Sequence, residues 1–205
     1  MRQVPFATPS ADVANEVALE LLSQTFLAWD APLLDLGAGS SSFVPALLSE
    51  GYSNVVAVDV SPGALEAQAQ QLTPQQRDQV LWVVDDVTQA QHLPWLDPIL
   101  FWHDRAMLPV LTHPAHQRAY QALLTQMVLP RLGWVLLQVD RPGGGGQRGD
   151  MRTQPYTIQQ LQSFVGPEFA LQAYREYVAQ EEAPQPRLYA LFRRLADAAG
   201  QFRSA

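Results

Sequence analysis

Two kinds of hydrophobic pattern alternate along the first 140 residues. One is a short unbroken apolar run, seen in "APLLDLG", "NVVAVDV", "QVLWVVDDV", "ILFWHD" and "WVLLQVD". Runs of this kind, continuous rather than alternating, suit parallel strands covered on both faces. The other kind spaces its apolar residues three and four apart and predicts helices between the strands. Residues 11–29, "ADVANEVALELLSQTFLAW", set Val13, Val17, Leu21, Leu22 and Phe26 at that spacing behind an acidic first turn. They predict an amphipathic cap helix ahead of the sheet. Ser40 to Ser42 can cap the helix "SSFVPALLSEG", which Gly51 ends. In "SPGALEAQAQQL" the Ser-Pro pair places Pro62 in a first helical turn. After the fourth strand, "RAMLPVLTHPAHQRAYQALLTQMVLPRLG" predicts a short helix, a turn at Thr112–Pro114 and a longer helix stopped by Pro130 and Gly133.

Beyond residue 140 the alternation stops. "RPGGGGQRGDMRTQP", residues 141–155, predicts a long flexible loop rich in Gly, Arg and Pro. Loops of such length in compact domains tend to be lids or disordered segments. "YTIQQLQSFVG" follows as a helix, then "FALQAYREYVAQ" and "PRLYALFRRL" as strands close enough in sequence to pair antiparallel. The whole pattern predicts one α/β domain over residues 1–205. It is a doubly wound, Rossmann-like, mostly parallel seven-stranded sheet that ends in a C-terminal antiparallel hairpin. Ligands of such sheets bind beyond the carboxyl ends of the strands, at the point where strand order reverses. That singles out Asp35, Gly37, Gly39, Asp59, Asp86, His103 and Asp140.

Composition narrows the classes of function. A length of 205 residues suits one sizeable domain. No run approaches the ~20 apolar residues of a membrane helix, and the N-terminus lacks a secretory pattern, so a cytoplasmic protein without a membrane partner is expected. With no cysteine there is no disulfide, thiolate–zinc site or cysteine nucleophile. A net charge of −7 argues against a nucleic-acid partner. A small-molecule or protein acceptor is favoured instead.

The strand-to-helix turn "LLDLGAGSSSF" carries the chemistry. Gly37 lets the chain turn out of the strand, and Gly39 lets a ligand approach the backbone. Asp59 ends the next strand about 20 residues on, where a carboxylate can accept from both hydroxyls of a ribose. That combination fits an NAD-type dinucleotide or the adenosyl part of S-adenosylmethionine. Two features favour the second. Asp35 would repel a pyrophosphate but welcome a sulfonium and an ammonium. Ser42 stands where the dinucleotide fingerprint has a further glycine.

The stretch "LLDLGAGSSSFVPALLSEGYSNVVAVDVSPGALEAQ" followed by "VVDDV" resembles the class I S-adenosylmethionine-dependent methyltransferases. The likeness extends over residues 31–194. "FWHDRAMLPVLTHPAHQRAYQALL" is further similar to a small bacterial group with a Trp-His-Asp-Arg-Ala segment after the fourth strand. Ser41 departs from the superfamily, where a third glycine is common. The resemblance implies S-adenosylmethionine as cofactor and methyl transfer by in-line displacement. It implies that Asp35 sits near the methionine ammonium and that Gly37, Ala38 and Gly39 line the methionine side. Asp59 would take the ribose hydroxyls, Val60 would pack on the adenine, and Asp86 with the Val87 backbone would read the adenine edge. His103 would face the methyl group or its acceptor, with a general-base role open to it.

Plainer readings stand beside these. Asp35 can cap backbone donors, and Asp104 can cap the next helix while Arg105 forms an ion pair. Only one of Asp85 and Asp86 can face a ligand from a strand, and Asp86 is favoured. Trp102 reads as packing. His113 and His116 lack a third metal ligand, and "GGGG" lacks the Lys-Ser/Thr of a phosphate loop. An acceptor pocket is expected between the N-terminal helix, residues 103–112 and the loop 141–155. A non-catalytic adenosyl-binding protein and an NAD-dependent oxidoreductase remain alternatives.

Overall fold

The computed structural model describes residues 13–39, 41–105, 107–143, 147–148, 151–179 and 185–196. Five strands run parallel: β1 (Leu33–Leu36), β2 (Val55–Asp59), β3 (Val80–Val84), β4 (Phe101–Arg105) and β5 (Trp134–Asp140). A small antiparallel pair, β6 (Gln147–Arg148) and β7 (Met151–Arg152), lies within the predicted loop 141–155. The predicted loop otherwise falls partly on 144–146 and 149–150, outside the described residues. The long strands β8 (Phe169–Ala179) and β9 (Gln185–Arg194) complete a seven-stranded sheet of order β3-β2-β1-β4-β5-β9-β8. β9 pairs antiparallel with both β5 and β8. The later strand of the hairpin therefore fills the slot beside the parallel sheet, and the earlier one takes the edge. Strand order reverses between β1 and β4, which places the switch point at the carboxyl end of β1.

Two apolar layers cover the sheet. On one face α1 (Val13–Ser23), α2 (Phe43–Glu50) and α3 (Pro62–Gln70) pack on Leu33, Val55, Phe101, Trp134 and Leu191. On the other, α5 (Pro114–Met127) and α6 (Ile158–Val165) cover Leu34, Val58, Trp102, Val135 and Phe192. A four-residue helix, α4 (Pro74–Arg77), leads into β3, and single 3₁₀ turns occupy Leu93–Trp95 and Leu108–Val110. β1 and β5 are buried along their whole length, as continuous apolar runs require.

Local sequence explains most ends. Ser61 accepts from Ala64 N at the start of α3, with Pro62 behind it. Thr157 and Gln160 form a reciprocal capping box on α6. Gly51 closes α2 in the left-handed conformation. Three expectations need correcting. The cap helix stops at Ser23 rather than 29, because the Thr25 hydroxyl donates to Leu22 O and Phe26 takes a φ of 53°. Phe26, expected on the buried face, is 93% exposed; Ala14, Asn15, Ala18, Leu21 and Leu22 form that face instead. The short helix after β4 is only a 3₁₀ turn, and α5 ends at Met127, before Pro130.

Candidate active site

The carboxyl ends of β1, β2 and β4 converge on the turn after β1. Gly37 there has a φ of 70° and Gly39 a φ of 33°, both in the region that disfavours a side chain. A β-carbon on Gly37 would meet Met107 Cγ at 2.6 Å, and one on Gly39 would meet Asp59 Oδ2 at 2.9 Å. Ala38 is fully buried and its N–H donates to Val58 O at 2.9 Å, tying the turn to β2. Ser42 stands at the N-cap of α2 without making a side-chain cap bond. Ser41 Oγ accepts from Phe43 N, while Ser42 Oγ accepts from the Asn15 amide of α1 at 2.8 Å. Arg105 Nη1 donates to Asn15 Oδ1 at 3.1 Å, so the first turn of α1 bridges the ends of β4 and α2.

Asp59 is half-buried at the end of β2, where its Oδ1 accepts from Ser61 N at 2.9 Å. This leaves Oδ2 above Gly39. Val60, just beyond, is 58% exposed and presents an open apolar surface next to that carboxylate. Asp85 and Asp86 differ in surroundings, and both lie past the end of β3 rather than on it. Asp85 is buried and accepts from the backbone N–H groups of Asp86, Gln91, His92 and Leu93. Burial pushes its carboxyl upward, but these donors outweigh it and hold the pKa below the ordinary range. Asp85 organises its own loop. Asp86 is half-buried with Oδ1 accepting from Thr88 N and Oγ1, and Val87 behind it is buried.

Asp35 and His103 are register partners on β1 and β4 and lie together in the interior. Asp35 Oδ1 meets His103 Nδ1 at 2.6 Å, and His103 Nε2 meets the Tyr189 hydroxyl at 3.0 Å. A carboxylate only accepts, so Nδ1 carries a proton toward Asp35, and Nε2 shares a hydrogen bond with the Tyr189 hydroxyl. The imidazole packs against Phe43 at a 36° tilt and stacks on Tyr189, with centroids 4.0 and 5.8 Å away. Asp35 and His103 are each 1% exposed. Asp35 Oδ2 is buried and has no hydrogen-bond partner among the described residues. Both ring nitrogens of His103, the residue for which a general-base role is open in the sequence, are thus engaged by side chains of the protein itself.

The rest of the Trp-His-Asp-Arg segment is structural. Asp104 is fully buried and accepts from Met107 N at 2.6 Å, Leu108 N at 3.0 Å and the Tyr120 hydroxyl at 2.7 Å. Burial raises its pKa to about 6 even though all three donors favour the anion. Tyr120 also accepts from Trp102 Nε1 at 3.1 Å, and its own pKa lies well above the ordinary value, chiefly through burial and then through Asp104. Asp104 therefore fixes the turn that lays Met107 over Gly37. Asp140 pairs with Arg187 Nη1 at 2.9 Å in a nearly buried ion pair at the start of β9. His113 caps α5 by accepting from Ala115 N. Sequence reasoning missed Tyr189, Met107 and Asn15, all of which come to the turn from other parts of the chain.

Residues 34–97, from β1 to the loop before β4, match the family model of a methyltransferase domain. No curated protein matches the chain. Among solved structures, an S-adenosylmethionine-dependent methyltransferase from Anabaena variabilis is 17% identical, with 90% of this chain and 86% of that chain covered at a TM-score of 0.71. The N-methyltransferase NodS from Bradyrhizobium japonicum is 14% identical, covering 92% and 99% at a TM-score of 0.67. The glycopeptide N-methyltransferase MtfA complexed with S-adenosyl-L-methionine is 18% identical, covering 91% and 99% at a TM-score of 0.64. At these identities the likeness is one of fold.

Proposed function

We propose, from a class I S-adenosylmethionine-dependent methyltransferase fold whose residues 34–97 carry the methyltransferase-domain match, that this protein methylates a small molecule or a protein side chain. The observation that carries the reading is the unpartnered Oδ2 of Asp35, buried one residue short of the turn. A buried carboxylate oxygen without a donor is costly unless a cation or N–H group meets it. The ammonium of a methionine tail meets that need, whereas a pyrophosphate would add to the negative charge.

The residues present fit the cofactor on three further counts. Gly37 and Gly39 keep the space over the turn clear of side chains of their own, so that Met107 and the Asp59 carboxylate close directly over the backbone there. Asp59 keeps Oδ2 available over that space for the ribose hydroxyls, and Val60 offers the adenine an apolar surface. Asp86 with the Val87 backbone stands at the next strand end for the adenine edge. S-adenosylmethionine supplies an activated methyl on sulfur, open to in-line attack by an acceptor atom. The chain's part is then to hold the two reactants in line and to keep water away, which calls for no acid–base pair. Segment 103–112, α1 and the strand-end region around Asp140 are the walls available to an acceptor. Calorimetric titration with S-adenosylmethionine and S-adenosylhomocysteine tests the reading. Micromolar binding of either, followed by S-adenosylhomocysteine formation with members of an amine-rich acceptor panel, supports it. Binding of NADH with no response to either adenosyl ligand overturns it.

A further inference from the structure

The Asp35–His103 pair does not end at the parallel sheet. His103 passes its second nitrogen to Tyr189 of β9, 86 positions along the chain, while Asp35 lies 68 positions before His103. Tyr189 is itself fully buried, stacked on His103 on one side and on Tyr177 of β8 on the other, 5.9 Å between centroids. Three strands that are not sequence neighbours thus join in one hydrogen-bonded chain whose only unmet acceptor among these three side chains is Asp35 Oδ2.

We propose that Tyr189 and His103 are positioning residues for the amino-acid end of the cofactor. The inference rests on the assignment of S-adenosylmethionine above. A carboxylate on a short side chain can rotate about its last bond and swing toward any nearby donor. Here one oxygen is pinned by His103 Nδ1, and the ring that pins it cannot swing away while its Nε2 is hydrogen-bonded to the Tyr189 hydroxyl. Contacts of the ring with Phe43 and Tyr189 restrict the remaining freedom. The second oxygen is thereby held, without a hydrogen-bond partner of its own, for a cationic partner. Pre-organised acceptors of this kind bind more tightly because no reorientation follows the encounter. The antiparallel hairpin contributes to ligand binding through this chain of contacts without touching the ligand.

The test separates the amino-acid end of the ligand from its adenosine end. Affinity is measured for S-adenosylhomocysteine, which carries the ammonium, and for 5′-methylthioadenosine, which has the same adenosine but no amino-acid tail. Both are titrated against the wild type and Tyr189→Phe, with thermal midpoints recorded alongside. Removing the hydroxyl while keeping the ring should weaken S-adenosylhomocysteine binding by about 3- to 10-fold, the range of one hydrogen bond, and leave 5′-methylthioadenosine within about twofold. Equal weakening of both ligands, or of neither, overturns the proposal, since a purely structural role cannot tell the two apart. If Tyr189→Phe does not fold, His103→Asn reads the same ratio, because its shorter side chain cannot span Asp35 and Tyr189. Failure of wild-type protein to bind either ligand refutes the cofactor assignment instead.

Discussion

Asp59 Oδ2 occupies the space directly above Gly39, 2.9 Å from where a β-carbon would sit. The strand-end acid and the second glycine of the turn are therefore one unit, and neither can change without moving the other. Gly39→Ala should displace the carboxylate and force a left-handed φ on alanine. We expect at least tenfold weaker S-adenosylhomocysteine binding together with a stability loss of about 1–2 kcal/mol. Calorimetry and urea unfolding of the same preparation check both; unchanged affinity would remove the pairing from the ligand site.

Asp59→Ala should behave differently. Its carboxylate is half-buried and accepts a backbone hydrogen bond from Ser61 N, so the fold loses little. Ligand affinity should fall by about 10- to 100-fold, the range expected when hydrogen bonds to a charged group are lost. A drop in thermal midpoint as large as that of Gly39→Ala, with affinity preserved, would make the residue structural.

Asp104 gives a pH signature. Its folded pKa of about 6 lies above the ordinary carboxyl value, so the native state holds this proton more tightly than the unfolded chain does. The stabilisation is complete below the unfolded value of 3.8 and is lost as pH rises through about 6. Carboxyl carbon-13 resonances should show Asp104 titrating near 6, and Tyr120→Phe, which deletes a donor to the anion, should move that titration upward. Tyr120→Phe should also cost about 1–3 kcal/mol, since Trp102 Nε1 then loses its acceptor. A resonance titrating near 4 would contradict the buried environment.

The two ion pairs near the end of β5 should differ sharply. Arg187 and Asp140 are nearly buried, whereas Arg141 and Glu176 are exposed by 41% and 45%. Arg187→Ala should destabilise by about 3–5 kcal/mol, because a nearly buried carboxylate loses the guanidinium paired with it. Arg141→Ala should cost under about 1 kcal/mol. Equal effects in denaturant unfolding would mean that water reaches Asp140.

Much of this was legible from residues 31–140, where strand, turn and helix signals are local and agree. The continuous runs of β1 and β5 point to strands buried on both faces, and the spacing of Gly37, Gly39 and Asp59 is enough to raise the expectation of a nucleoside-like ligand. The pattern places His103 on β4 but cannot name its partners, since Asp35 and Tyr189 lie 68 and 86 positions away. Alternation says which face a residue takes, but not what a distant strand sets opposite it. Phe26 failed for a local reason, because helical spacing continues through it in sequence while Thr25 has already turned the chain. Tyr189 carried no signal of its own. In "PRLYALFRR" it reads as one more core aromatic.

The position of β9 has a consequence for how the molecule is assembled. Because this strand lies between β5 and its own hairpin partner β8, the earlier strand cannot settle against the sheet first without closing the place its successor needs. Productive routes must either form the hairpin as a preassembled unit or leave the flank of β5 bare until the final strand arrives. The tyrosine that completes the Asp35 relay travels on that strand, so ligand affinity should emerge as a late kinetic phase of refolding, after the five parallel strands have gained their signal.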